Sequence, residues 1–121
     1  MMYKMSAIEV KSYVHFEQLL LDDGKIKHDK KYILIDFYTT WCGPCKTFNP
    51  EYIKLAEQYD KVLFLKVNID KLYDLASEYI IRSIPAFLFY KTGEFKHIYR
   101  VDGVNKDKLI SYLNDMNHNE N

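Results

Sequence analysis

A chain of 121 residues, 48% of them hydrophobic, has material for one domain with a closed core and too little for two. Its 17 Lys and Arg balance 17 Asp and Glu, and a net charge of +0 supplies none of the basic excess expected of a nucleic-acid binder. No apolar run approaches the roughly 18 residues of a membrane span, and residues 1–6 lack the apolar stretch of a secretory signal. The expectation is therefore a cytoplasmic protein, or an organellar one if a leader has been removed.

The apolar pattern alternates between strand-like and helix-like periods along the chain. Residues 8–11 alternate as a short strand. Ser12 is placed to cap a helix over 13–21 that buries Phe16, Leu19 and Leu20. Residues 22–31 are polar, contain Gly24, and read as a loop. Residues 32–38 form a nearly continuous apolar run, the pattern of a central strand covered on both faces. Phe48, Tyr52, Leu55, Ala56 and Tyr59 then fall at helical spacing, with Pro50 inside the stretch as a predicted kink.

Residues 62–67 read as a second buried strand, and Leu72, Leu75, Ala76 and Tyr79 as a short helix. Residues 86–90 and 95–101 flank Thr92-Gly93, the signature of an antiparallel hairpin. Asn105 is placed to cap a last helix that buries Leu109, Ile110, Leu113 and Met116. The order is β-α-β-α-β-α-β-β-α: a five-stranded mixed sheet flanked by four helices, one α/β domain over 1–121. About 1–6 and 117–121 are expected to be flexible ends.

The chain has 2 cysteines, three positions apart, in Trp41-Cys42-Gly43-Pro44-Cys45-Lys46. A bridge over so short a span closes a tiny loop and restrains the unfolded chain little, which makes it a poor staple. The motif lies where the buried strand ends and a helix begins. A helix start presents unpaired N–H groups and the positive end of its dipole, both of which favour a thiolate at Cys42. Cys45, one turn further in, faces the same side and is expected to be the more buried of the two. From there it can attack a mixed disulfide formed on Cys42. Gly43 permits the tight turn, and Pro44 fixes φ in the first turn, where no N–H is missed.

That hexapeptide after an apolar strand resembles the active site of the thioredoxin family. The resemblance extends from about Ile8 to Leu113 through three further motifs. Ile35-Asp36-Phe37 is similar to the strand before the family's active site, including its buried aspartate, and Lys66 to the lysine that neighbours it. Arg82-Ser83-Ile84-Pro85 resembles the loop with the family's cis-proline, and Gly103-Val104-Asn105 the glycine turn before the last helix. Ala86 departs from the pattern, since the family more often has threonine after the proline.

The resemblance implies the thioredoxin fold and a protein-disulfide reductase that cycles between a dithiol and a Cys42–Cys45 disulfide. Cys42 would be the nucleophile and Cys45 the resolving thiol. Asp36 would transfer the proton of Cys45, through water, with Lys66 modulating it. Pro85 in cis would expose the backbone of Ile84 for strand-like pairing with substrate. Trp41, Gly43, Pro44, Ile84, Gly103 and Val104 would form an apolar contact patch, with Asp102 bringing a negative charge to its rim. Implied partners are a flavoprotein thioredoxin reductase drawing on NADPH, and recipients such as peroxiredoxins. The chain itself is expected to bind no cofactor, to make no nucleic-acid or membrane contact, and to act as a monomer. His15, His28, His97 and His118 show no metal-ligand spacing to one another or to the cysteines.

Two other readings differ in what they require. An oxidase or isomerase of a secretory compartment could share the fold, but Gly43-Pro44 resembles the reducing members, whereas oxidising ones often carry histidine in the second slot. A non-catalytic binding subunit could use the patch alone, and intact Cys42 and Cys45 argue against that as the only role.

Overall fold

A strand that is apolar at nearly every position needs cover on both faces, and the chain provides it by sending helices to either side of one sheet. The computed structural model describes residues 7–22 and 28–118. In chain order these form β1 (Ile8–Glu9), α1 (Tyr13–Leu21), β2 (Tyr32–Tyr38), α2 (Gly43–Gln58), β3 (Val62–Asn68), α3 (Tyr73–Glu78), β4 (Ala86–Lys91), β5 (His97–Asp102) and α4 (Lys106–His118). The sheet order is β1-β3-β2-β4-β5. β3 pairs parallel with β1 and β2, whereas β4 runs antiparallel to both β2 and β5. This is the mixed five-stranded sheet with four helices that the periodicity predicts.

Local chemistry sets the element ends. The Ser12 hydroxyl accepts the His15 N–H at 3.0 Å and starts α1, and Asn105 does the same for α4 by accepting the Lys108 N–H at 3.1 Å. Pro50 stands inside α2 without ending it. Several boundaries differ from the sequence expectation. β1 stops at Glu9 because the chain must turn into the Ser12 cap, although the Val10 N–H still reaches the Lys66 carbonyl at 2.9 Å. β5 begins at His97, not at Phe95. Gly93 takes φ +93°, the Glu94 N–H closes a turn onto Lys91, and the β4·β5 register shifts between Phe89 and Tyr90. Phe95 is left outside the strand and 62% exposed. Helix α4 runs on through Asn117 and His118, which the periodicity places in the tail. The expected flexible ends at 1–6 and 119–121, and the loop positions 23–27 with Gly24, lie outside the described residues.

Side-chain alternation along the strands divides the interior. Ile33, Ile35 and Phe37 of β2 face α1 and α3 and pack with Phe16, Leu19, Leu20 and Leu75. Tyr32 and Leu34 face the other way, toward α2 and α4, and pack with Phe48, Tyr52, Leu55, Leu109 and Leu113. Asp36 and Tyr38 continue this second row on β2, as do Lys66 on β3 and Glu9 on β1, which stands in register beside Lys66. The polar residues of the site therefore share one face of the sheet, under α2.

Candidate active site

The site begins where β2 runs out. Cys42 takes φ −80° and ψ 112° and serves as the N-cap of α2, its Sγ accepting the Cys45 N–H at 3.2 Å. Gly43 and Pro44 form the first turn and are exposed. The two cysteines, with Cα atoms 5.3 Å apart, are joined by a disulfide. The expectation that Cys45 is the more buried of the two does not hold in this form: Cys42 is 5% exposed and Cys45 6%. Each sulfur covers the other in the bridge, and Cys42 turns its sulfur toward the helix end that it caps. Lys46, next along the helix, is exposed.

Behind the disulfide lies a cavity of about 310 Å³ lined by Asp36, Thr39, Cys45, Asn49 and Lys66, among others. Asp36 is 2% exposed. Among the described residues, its Oδ1 and the Thr39 hydroxyl are buried without a hydrogen-bond partner, and the cavity has volume enough for water to reach them. Burial pushes the Asp36 carboxyl up from 3.8 to about 7, with Lys66 opposing the rise and Glu9 adding to it. Lys66 stands directly across from Asp36 in the β2·β3 register. Its Nζ donates to Asn49 Oδ1 at 2.7 Å and lies 4.4 Å from the centre of the Tyr38 ring. The Tyr38 hydroxyl in turn donates to Glu9 Oε1 at 2.6 Å.

The sheet register brings the remaining pieces to the same end of the molecule. Phe37 pairs with Ala86 and Ala86 with Asp102, so the residues before β4 and after β5 adjoin the end of β2. The Ile84–Pro85 peptide bond is cis, Pro85 is buried and Ile84 is half-buried. The Pro85 carbonyl accepts the Gly103 N–H at 2.7 Å, which ties the proline loop to the turn before α4. Gly103 takes φ +82°, a conformation that costs an L side chain about 1 kcal/mol, and a methyl group there would meet nothing within 4 Å. Gly103→Ala is therefore expected to lower stability by about 1 kcal/mol through backbone strain alone, read as a shifted urea midpoint with an unchanged slope. Val104 is 47% exposed beside it. Asp102 is exposed, but its carboxylate accepts from Arg100 Nε at 3.2 Å, so it does not bring an uncompensated charge to the rim.

Trp41 is 69% exposed, and its Nε1 donates to Asp70 Oδ2 at 2.9 Å. Asp70 is held by Asn68, whose Oδ1 accepts the Asp70 N–H at 3.0 Å. The indole is thus a fixed wall and not part of the core. Among the described residues no group of three or more His, Cys, Asp or Glu side chains is arranged to hold a metal ion, and no helix is long and apolar enough to cross a membrane.

The thioredoxin family model matches residues 13–115, a span that holds every residue just described except Glu9. The chain belongs to the thioredoxin family. It is 35% identical over 108 residues to a thioredoxin of Sus scrofa, covering 89% of this chain and 96% of that one. Among solved structures it resembles a thioredoxin of Nicotiana alata, with 30% identity, a TM-score of 0.80, and coverage of 95% and 96% of the two chains. It also resembles a chain from a structural study of thiol resolution in a yeast mitochondrial 1-Cys peroxiredoxin via glutathione and thioredoxin systems. There the identity is 30% and the TM-score 0.78, over 91% of this chain and 95% of that one.

Thioredoxins are thiol-disulfide oxidoreductases, and this chain carries the vicinal pair that such exchange needs, already in its disulfide form. It is a protein-disulfide reductase of that family. Sequence reasoning did not pick out Asn49, Tyr38, Glu9 or Asp70 for this thioredoxin site. Their partners lie 17, 28 and 29 residues away, or more, and meet only through sheet register and the seating of α2. The one available signal was the run of polar residues on the α2 side of β1, β2 and β3.

Proposed function

We propose that Cys42 is the attacking thiolate and Cys45 the resolving thiol, and that the protein passes electrons from a thioredoxin reductase, charged by NADPH, to disulfide-bearing proteins such as peroxiredoxins. The observation that carries this is the seat of Cys42 on the first turn of α2, its sulfur facing the Cys45 N–H. Those N–H groups and the helix dipole lower the cost of negative charge on Cys42 in the reduced protein. The thiolate attacks one sulfur of a substrate disulfide and expels the other as a thiolate. Cys45 then attacks Cys42 in the mixed disulfide, releases the second substrate thiolate and closes the Cys42–Cys45 bridge. Two electrons have moved, and a reductase must return them from NADPH. The chain itself needs no bound cofactor for any of these steps.

Asp36 takes the proton of Cys45 as the latter attacks, with water in the cavity between them as the carrier. Lys66 modulates that carboxyl by its charge. Trp41, Gly43, Pro44, Ile84, Gly103 and Val104 receive the substrate segment. The cis bond at Pro85 presents the backbone of Ile84 for strand-like pairing, which suits many extended peptides and selects few. The study that provides the yeast neighbour concerns a peroxiredoxin, which supports that class of recipient. The reading places the protein as a monomer in a reducing compartment, the cytosol, where a dithiol survives.

The test is reduction of insulin disulfides with NADPH and a thioredoxin reductase. Turnover of NADPH that depends on the protein is the expected result. Failure of the wild type even when dithiothreitol replaces the reductase would overturn the proposal in favour of a binding subunit.

A further inference from the structure

The lysine beside the buried acid does not form an ion pair with it. Lys66 and Asp36 are register neighbours on adjacent parallel strands, yet among the described residues no carboxylate forms an ion pair with Lys66. Its ammonium is engaged elsewhere, by the Asn49 amide oxygen at 2.7 Å and by the face of the Tyr38 ring at 4.4 Å. An amide oxygen is a directional acceptor and a phenol ring an attractive face, and together they hold a half-buried ammonium that four methylenes would otherwise let swing. The ring is itself fixed, because its hydroxyl donates to Glu9 Oε1 at 2.6 Å.

We infer that Asn49 and Tyr38 form a clamp that parks the Lys66 ammonium short of Asp36, and that Asn49 is thereby a positioning residue for the proton-transfer step. The inference rests on Asp36 being the proton-handling group and adds what sets its readiness. With the clamp closed, Asp36 meets Lys66 only as a nearby charge and keeps its proton to near-neutral pH. With the clamp open, the freed ammonium is drawn toward Asp36 and favours its charged form, against the competing carboxylate of Glu9 in register on the other side of Lys66. The other groups around Asp36 are Tyr38 on its own strand and Glu9 on β1. Helix α2 contributes Cys45, Lys46, Asn49 and Tyr52, while β4 places Phe87 opposite. Lys46 is exposed and solvated, so Lys66 is the cation whose position matters.

Carbon-13 NMR titration of the Asp36 carboxyl in the oxidised protein tests this, because the bridged cysteines do not titrate there. Asn49→Ala removes the acceptor, and alanine is a better helix former than asparagine, so the fold is retained. The Asp36 midpoint is expected to fall by about one pH unit, the effect of bringing an ammonium about 2 Å closer in a half-buried setting. In a Lys66→Met background the same Asn49→Ala change is expected to leave the midpoint unmoved. A midpoint that stays or rises on Asn49→Ala alone overturns the clamp, and so does an equal fall in both backgrounds, which would mean that Asn49 acts on Asp36 directly. The titration needs no turnover, so its outcome is separate from that of the proton-transfer reading, which is judged by the activity of Asp36→Ala.

Discussion

Cys42→Ser is expected to abolish NADPH-coupled insulin reduction, with turnover falling by about 10³-fold or more to the uncatalysed background. A serine hydroxyl keeps the size of the thiol and can still cap α2, so the fold and its stability should change little. What disappears is a nucleophile that the helix start can ionise near neutral pH. Cys45→Ser is the informative companion. It leaves the attack intact and removes the resolving sulfur, so a mixed disulfide with substrate should accumulate on Cys42 and survive non-reducing electrophoresis. If the mixed disulfide accumulated instead on Cys45 of the Cys42→Ser protein, and not on Cys42 of the Cys45→Ser protein, the two roles would be reversed. If both were active, the chemistry would not reside in this pair.

The second large effect is expected at Asp36, and it has opposite signs for stability and for rate. Burial raises the carboxyl from 3.8 to about 7, so between those values the folded protein holds a proton that the unfolded chain has lost. The folded state binds more protons there, and stability must therefore fall as pH rises from about 4 to 7 and level off above. The gap corresponds to about 4 kcal/mol as an upper bound, reduced by the contacts that the carboxyl makes. Asp36→Ala removes this penalty. It should gain about 1–3 kcal/mol at pH 8 and little or nothing at pH 4, measured as urea midpoints at the two pH values. The same variant should reduce insulin about tenfold more slowly at pH 7, since Cys45 loses its proton acceptor. A gain that does not grow with pH would mean that Asp36 is not a costly buried anion. An unchanged rate would remove it from the proton path.

The sequence carried some parts of this molecule openly and hid others. Element order was legible because each element has its own period, as in the unbroken apolar run of β2 and the helical spacing of Phe48, Tyr52 and Leu55. Asp36 stood out because a carboxylate inside such a run has no cheap explanation. The hexapeptide stood out because a helix start is the place where a thiolate is easiest to hold. Ends were less legible: β1 is cut short by the Ser12 cap, and β5 is delayed by a register shift that depends on how Phe89 and Tyr90 meet their partners. Relative burial of the cysteines is not legible in the sequence because it depends on the bridge between them. Asn49 and Tyr38 were invisible for a different reason. Neither is unusual in its own segment, and their joint hold on Lys66 exists only once α2 lies across the sheet.

The two packed clusters have a consequence for how change spreads through the molecule. One comprises α1, α3 and one face of the sheet, the other α2, α4 and the opposite face, and among the described residues they share no side chain. The disulfide, the buried acid and its lysine all belong with the second. A repacking beneath α1 lies across the sheet from the dithiol, and the intervening β2 is held by hydrogen-bonded strands on both sides. The sheet thus stands as a partition: most of the packing under α1 and α3 lies behind it from the disulfide, and Phe37 and Ala86 are where that half meets the Pro85 loop.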